Sequence, residues 1–240
     1  MKRRLFVASS LAAGLAGCSS WKETLTDRAT GVLGVAQTWD LDVIGTHGRA
    51  REYPESAISR TFPIDSLDTP SDGTYRHWVA TGYAAYRLEV AGLVAAPQRF
   101  SLPELRAIGE TTQITRHDCV EGWSAIGKWT GVRLAAVLAL ARPAQHARYV
   151  VFRCLDRDDQ GVPFYESLSL PQAVQPQTLL ALDLDGKPLA PDHGAPVRLR
   201  VPLQLGYKSA KWVARIELAD RLPGKGGYWE DQGYAWYAGI

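Results

Sequence analysis

The apolar positions along the chain fall into short runs, and few of those runs have helical spacing. Arg87–Gly92 alternates apolar and polar residues like a strand and stops at Gly92. Tyr149–Arg153 reads as a buried strand ending at Cys154. Thr178–Leu184, the turn at Asp185-Gly186 and Pro188-Leu189 form a hairpin-type reversal. Val197–Val201 and Trp212–Leu218 alternate cleanly. Two helices stand out. Ser101-Leu102-Pro103-Glu104 is a capping box with proline in the first turn, which predicts a helix to about Ile108, stopped by Gly109. Leu134–Ala141 is a short apolar helix halted near Pro143. No internal repeat is present. Strands outnumber helices, so the expected class is α+β, with mixed and antiparallel sheets packed by short helices.

The two ends of the first third differ from the rest. Residues 1–18 join a basic start, Lys2-Arg3-Arg4, to an apolar stretch too short to span a bilayer. Arg3-Arg4-Leu5-Phe6-Val7 is similar to a twin-arginine signal, and Leu15-Ala16-Gly17-Cys18 to a lipobox. Together they predict export to the periplasm and membrane anchoring through a lipidated Cys18. A general secretory signal with an incidental arginine pair is the plainer reading. Residues 19–82, with weak periodicity, read as a linker followed by an extended arm, and residues 83–240 as the folded domain.

The 240 residues suit one well-buried domain. Removing residues 1–17, which hold Lys2, Arg3 and Arg4, leaves 24 basic and 25 acidic side chains, a net charge of −1. That balance gives no support for nucleic-acid binding. The chain has no CxxCH and no Cys/His array of the zinc type.

The most unusual composition lies at 116–132, Arg116-His117-Asp118-Cys119-Val120-Glu121-Gly122-Trp123 and onward to Val132. A thiol sits among charged neighbours, followed by Trp123, Trp129 and three glycines in all, Gly122, Gly127 and Gly131. This reads as a turn wrapped around a ligand, with Cys119 pointing into it. Arg116 and His117 are expected to lower the Cys119 thiol pKa, and thiolates suit heavier, redox-active metals. On the residues alone, a disulfide between Cys119 and Cys154 stays open.

The run RHDCVEGWSAIGKWTGVRL (116–134) resembles the molybdopterin-binding domain of the sulfite oxidase superfamily. So do YESLSLPQA (165–173), PQTLLALDLDGKPL (176–189), HGAPVRLRVPLQLGYKSAKWV (193–213) and GGYWEDQGYAWYAG (226–239). The similarity spans roughly 83–240. It is nearest to the single-domain bacterial branch that includes the catalytic subunit of periplasmic methionine sulfoxide reductase. It implies a molybdenum- and molybdopterin-dependent oxidoreductase that moves an oxygen atom and two electrons to or from a small molecule.

By that resemblance Cys119 is the molybdenum ligand and the pterin dithiolene supplies two more sulfurs. His193 and Arg198 line the pterin. Ser209, Ala210 and Lys211 hold its phosphate, with Tyr207 and Lys208 also cofactor-binding, consistent with the need of an anion for cations and backbone N–H groups. His117 is a candidate proton donor, or simply a satisfied loop histidine. An outward Arg198 in a salt bridge and solvated Lys208 and Lys211 are the structural alternatives. Ser59–Phe62 is a possible counterpart of the family's pterin-covering arm.

Two departures matter. Cys119-Val120-Glu121-Gly122-Trp123-Ser124 replaces the CAGNRR-like run of sulfite oxidases proper, and the Asn-Phe-Tyr-Glu-Phe-like segment of the reductases is absent. The substrate is therefore not carried over. No dimerisation domain follows, so a monomer is expected. The chain carries no electron-carrier motif of its own. A membrane cytochrome or soluble periplasmic carrier is therefore the expected redox partner. A non-catalytic lipoprotein of the same fold and a Cys119–His117 thiol hydrolase are the competing classes.

Overall fold

The architecture follows from two five-stranded sheets in a computed structural model that describes residues 48–65 and 67–240. The export signal, Cys18 and the start of the linker lie outside the described residues. In chain order the helices are α1 (Gly73–Ala80), α2 (Leu102–Ile108), α3 (Leu134–Ala141), α4 (Leu170–Ala173) and α5 (Tyr228–Asp231). The strands of the first sheet are β1 (Leu88–Gly92), β2 (Gln98–Phe100), β5 (Tyr149–Arg157), β6 (Pro163–Ser169) and β10 (Val213–Ala219), in the order β2-β1-β10-β5-β6. The β1–β10 pair is parallel and the others are antiparallel. The second sheet runs β3 (Glu110–Asp118), β4 (Ser124–Arg133), β7 (Leu179–Leu184) and β8 (Lys187–Pro188). Its last strand, β9 (Arg198–Arg200), also pairs with β7. All its pairs are antiparallel. This is the α+β arrangement of mixed and antiparallel sheets with short helices that the patterning predicts.

The local chemistry explains the elements that were foreseen. The Ser101 hydroxyl and the Glu104 carboxylate form the capping box that starts α2, and Gly109 ends it at φ 128°. Helix α3 ends at Arg142 in the left-handed region, before Pro143. Asp185 and Gly186 both take positive φ, which closes the two-residue β7–β8 turn. One core joins both sheets: Leu88, Val90, Phe152 and Ile216 from the first meet Leu180, Leu182 and Leu199 from the second, with Leu134, Val137 and Leu138 of α3 among them. A smaller cluster gathers around Trp129 with Ala181, Leu184, Leu189 and Ala195.

Three elements differ from expectation. The stretch 116–132 is mostly strand. Residues 110–118 and 124–132 pair in nine consecutive positions, and the turn is only Cys119–Trp123. The inward residues of β3 are the polar Gln113, Thr115 and His117, and those of β4 include Ala125, Gly127 and Gly131. Hydrophobic alternation is therefore hidden. The glycines serve closeness rather than a turn. A Cβ on Gly127 would lie 3.1 Å from the Phe62 ring, and one on Gly131 would lie 2.1 Å from the Leu180 carbonyl oxygen. Gly131→Ala is expected to lower stability by about 1–3 kcal/mol, read from denaturant unfolding. A wild-type midpoint would contradict that close approach.

The second difference is α1, placed by the sequence in the arm. Asp72 caps it by accepting from the Thr74 and Tyr75 amides, and Tyr75 and Trp78 are buried in the main core. The packed domain therefore begins before residue 83. The third is β9, where Arg198 and Arg200 alternate with Leu199 yet all three are buried.

Candidate functional site

The hairpin tip presents Cys119. Its amide donates to the Trp123 carbonyl at 2.9 Å, and the Gly122 amide donates to the Cys119 carbonyl at 3.1 Å, with Gly122 at φ 89°. Side chains brace the turn from outside. Asp118 accepts from Ser124 Oγ at 2.6 Å and Arg116 Nε at 3.0 Å, and Glu121 accepts from the Trp123 indole at 3.0 Å. The half-buried Cys119 opens into a narrow cleft that is partly open to solvent. Leu67, Val120, Phe164, Tyr207 and Trp229 give it apolar and aromatic walls, and Asp65 and Glu121 place carboxylates at it. Ser209, Ala210 and Lys211 line its floor. The C-terminal aromatics thus both wall the cleft, through Trp229, and close the core, through the buried Tyr237.

Burial, the largest influence, pushes the Cys119 thiol up; the Glu121 amide at the sulfur opposes this, and Arg198 does so only weakly. The expected lowering by Arg116 and His117 is not found. Arg116 is turned to Asp118, and His117 is itself held neutral. Cys119 and Cys154 are both free thiols, so the disulfide alternative is set aside.

Behind the hairpin lies a set of buried donors around the indole of Trp129. Arg198 and Arg200 are 2% and 0% exposed, with guanidinium carbons 5.6 and 5.5 Å from the Trp129 ring. Arg200 Nη2 donates to Thr115 Oγ1 and to the Arg116 carbonyl, at 3.1 and 2.6 Å. Arg198 Nη1 makes a long 3.4 Å contact to the His193 carbonyl, and its Nη2 stands 3.9 Å from Asp65. Arg198 Nε, Arg200 Nε and Nη1, Trp129 Nε1 and His117 Nδ1 have no partner. Burying unpaired guanidinium N–H groups is costly. Such a cluster is built to receive an acceptor-rich, anionic ligand. Burial lowers both arginines, Arg200 to about 9, and Arg198 adds to the effect on Arg200. His193 is half-buried and lowered by burial, then by Arg198 and Lys211.

His117 sits behind Cys119 on β3, stacked on Trp123 with centroids 5.5 Å apart. A Cβ on Gly206 would lie 2.5 Å from His117 Nε2, so glycine there makes room for the imidazole. Burial, then Arg200 and Arg198, holds His117 well below its usual pKa. It is neutral, not an imidazolium donor, and it does not line the cleft.

The predicted phosphate segment divides. Lys211 is buried and donates to Asp65 and to the Leu67 and Asp192 carbonyls, the last at 3.1 Å. Ser209 Oγ accepts from the Val201 amide, the Ala210 carbonyl from the Leu199 amide, and Tyr207 donates to the Ala235 carbonyl at 2.6 Å. Lys208 is a correction. Its side chain turns away from the cleft and is committed to Glu166 and Glu230 in the interior. Its expected contact with an anionic tail is not available.

Arg200 was missed because alternation in Val197–Val201 points it outward. Asp65 was missed for want of any local signal. The arm crosses the hairpin at Glu52↔Thr115 and at the Ser59 amide to the Ile126 carbonyl, 2.9 Å. It sets Phe62 between His117, Trp123, Trp129 and His193, with ring centroids 5.1–5.9 Å away. The Ser59–Phe62 segment does pack on the cluster.

These features fit a pterin cofactor with an anionic tail: a soft thiol at a cleft, beside buried donors lacking acceptors. Comparison with known proteins agrees. The family described as "Oxidoreductase molybdopterin binding domain" matches residues 76–229. The chain is 38% identical to "Putative protein-methionine-sulfoxide reductase subunit YedZ1" of Azospira oryzae, over 99% of this chain and 87% of that one. It is 40% identical to "Protein-methionine-sulfoxide reductase catalytic subunit MsrP" of Xanthomonas campestris, over 58% of this chain and 46% of that one. The sulfane dehydrogenase SoxCD of Paracoccus pantotrophus shares the fold at a TM-score of 0.52 and 24% identity, covering 57% of this chain and 39% of that one. The chain therefore belongs to the oxidoreductase molybdopterin-binding domain family, within the sulfite oxidase superfamily, and is an oxidoreductase whose cofactor is molybdenum held by molybdopterin.

Proposed function

We propose that the protein transfers an oxygen atom and two electrons at molybdenum, with Cys119 as its one protein ligand, and that its substrates are organic S-oxides. The observation carrying this is the cleft itself: Cys119 opens into a space with aromatic walls and with Asp65 and Glu121 at its edge. The walls formed by Leu67, Val120, Phe164, Tyr207 and Trp229 accommodate a partly apolar organic molecule. The two relatives named as methionine-sulfoxide reductase subunits support the same choice.

The cofactor, when bound, supplies the oxygen-transfer and redox chemistry. The chain's residues do the rest. Cys119 gives up its proton to become a soft thiolate ligand. Arg198, Arg200, Trp129 and His193 offer N–H donors to the pterin, and Lys211 with the Ser209–Ala210 backbone offers a seat for its anionic tail. Phe62 covers the cluster and excludes water. Neutral His117 stands behind the hairpin tip, stacked on Trp123.

Electrons come from another protein, a membrane cytochrome or soluble periplasmic carrier, in a small and transient encounter. Both sulfoxide-reductase relatives are named as subunits, which supports a partnered enzyme. Export by the twin-arginine route and a lipidated Cys18 would hold this monomer at the periplasmic membrane face. The test is one preparation from a molybdenum-competent host, fractionated first and then assayed. The expected result is membrane-associated protein with molybdenum and pterin bound. It should oxidise a reduced dye with methionine sulfoxide. Faster turnover with sulfite and an oxidised dye would overturn the substrate, and absent pterin would overturn the site.

A further inference from the structure

Three segments wall the cleft across from the Cys119 hairpin: the 3-10 turn Gly206–Lys208, strand β6 and helix α5. Each gives one wall side chain, respectively Tyr207, Phe164 and Trp229. Each also sends a second side chain inward. Lys208, Glu166 and Glu230 meet behind the wall, where the Lys208 ammonium donates to one oxygen of each carboxylate. Their side chains are 0%, 0% and 1% exposed. Gly227, in extended backbone, makes the meeting possible. A Cβ there would lie 2.0 Å from Glu230 Oε2 and 2.8 Å from Glu166 Oε1.

One ammonium against two carboxylates leaves an uncompensated negative charge. Burial pushes Glu166 well above the usual carboxylate range, and Lys208 opposes that push. A fully buried tie between three segments resists separation, because pulling any one away leaves a buried charge unpaired. It lies too far inside to touch a substrate. Its three members sit on the same segments as the aromatic walls Tyr207, Phe164 and Trp229.

We propose that the Glu166–Lys208–Glu230 triad is a positioning element that sets the width of the cleft over Cys119, and so decides how bulky a substrate reaches it. Its importance for substrate choice rests on the function proposed above; its effect on the cleft does not. The test therefore uses the unloaded full-length chain. Cys119 is alkylated with a small reagent, iodoacetamide, and a bulky one, N-pyrenylmaleimide, and each rate is read from the mass of the Cys119 peptide. The ratio of rates cancels changes in thiol ionisation. In Lys208→Met the bulky-to-small ratio should rise at least about tenfold, the order expected for a wall displaced by about an ångström. Glu230→Gln keeps Glu166 as the lysine's countercharge and frees only α5, so about a threefold rise is expected on the same reasoning. If Lys208→Met does not fold, Glu230→Gln decides alone. A folded variant with a lower unfolding midpoint but a wild-type ratio would show a plain structural tie and overturn the proposal. Because no cofactor or substrate is present, that failure would leave the S-oxide reading untouched, and the reverse holds equally.

Discussion

Cys119→Ser is expected to lower turnover by at least about a thousandfold, or about 4 kcal/mol of barrier, by exchanging a soft ligand for a hard hydroxyl. The fold should survive. The hairpin tip is held by the Cys119 and Gly122 amides, and by Asp118, Ser124, Arg116 and Glu121. None of those bonds uses the sulfur. Far-ultraviolet circular dichroism and the unfolding midpoint should match wild type within about 1 kcal/mol. The thiolate-to-molybdenum absorption band should vanish. An unchanged band together with unchanged activity would sink the ligand assignment.

Arg198→Met is expected to cut pterin occupancy at least about tenfold while leaving the empty chain as stable as wild type, or more so. The guanidinium is fully buried with one unpartnered nitrogen, one long contact to His193 and a 3.9 Å approach to Asp65. Methionine fills similar space without the desolvation cost, and Asp65 keeps Lys211 as its partner. Occupancy is measured by pterin fluorescence after denaturation, and stability by denaturant titration of cofactor-free protein. A loss of about 3 kcal/mol or more with full occupancy would mark Arg198 as a structural ion-pair member instead.

What the sequence made visible depended on whether burial and local pattern agree. Helices α2 and α3 and strands β1, β5, β7 and β10 are legible because their caps, turns and apolar spacing carry the same message as their packing. The Cys119 hairpin is not, since Gln113, Thr115 and His117 face inward where apolar residues are expected. Cys119 itself could be read from its neighbours, but the direction of its thiol shift could not. Adjacent Arg116 and His117 suggested a cationic setting, and only the fold shows one charge spent on Asp118 and the other absent. The cationic cluster was half visible. Lys211 and Arg198 stand where the resemblance puts them. Arg200 was hidden by strand alternation, and Lys208 was assigned to the cofactor by its place near Lys211, although its partners lie 42 and 22 residues away in the chain.

The parallel pairing of β1 with β10 carries a consequence for how the chain acquires this shape. Glu89 and Arg215 face one another in register although 126 residues separate them. Strand β1 cannot complete its hydrogen bonds toward the sheet centre until nearly all of the domain has been synthesised. Its other neighbour is only the three-residue β2. Contacts of such long sequence separation demand loop closure before they return any stabilisation, which slows folding. A nascent chain stopped before residue 213 would carry β1 with one side open, a template for pairing with the wrong strand. Folding of this domain should therefore be slow, cooperative and largely completed after synthesis, with the strand formed last closing the sheet begun first.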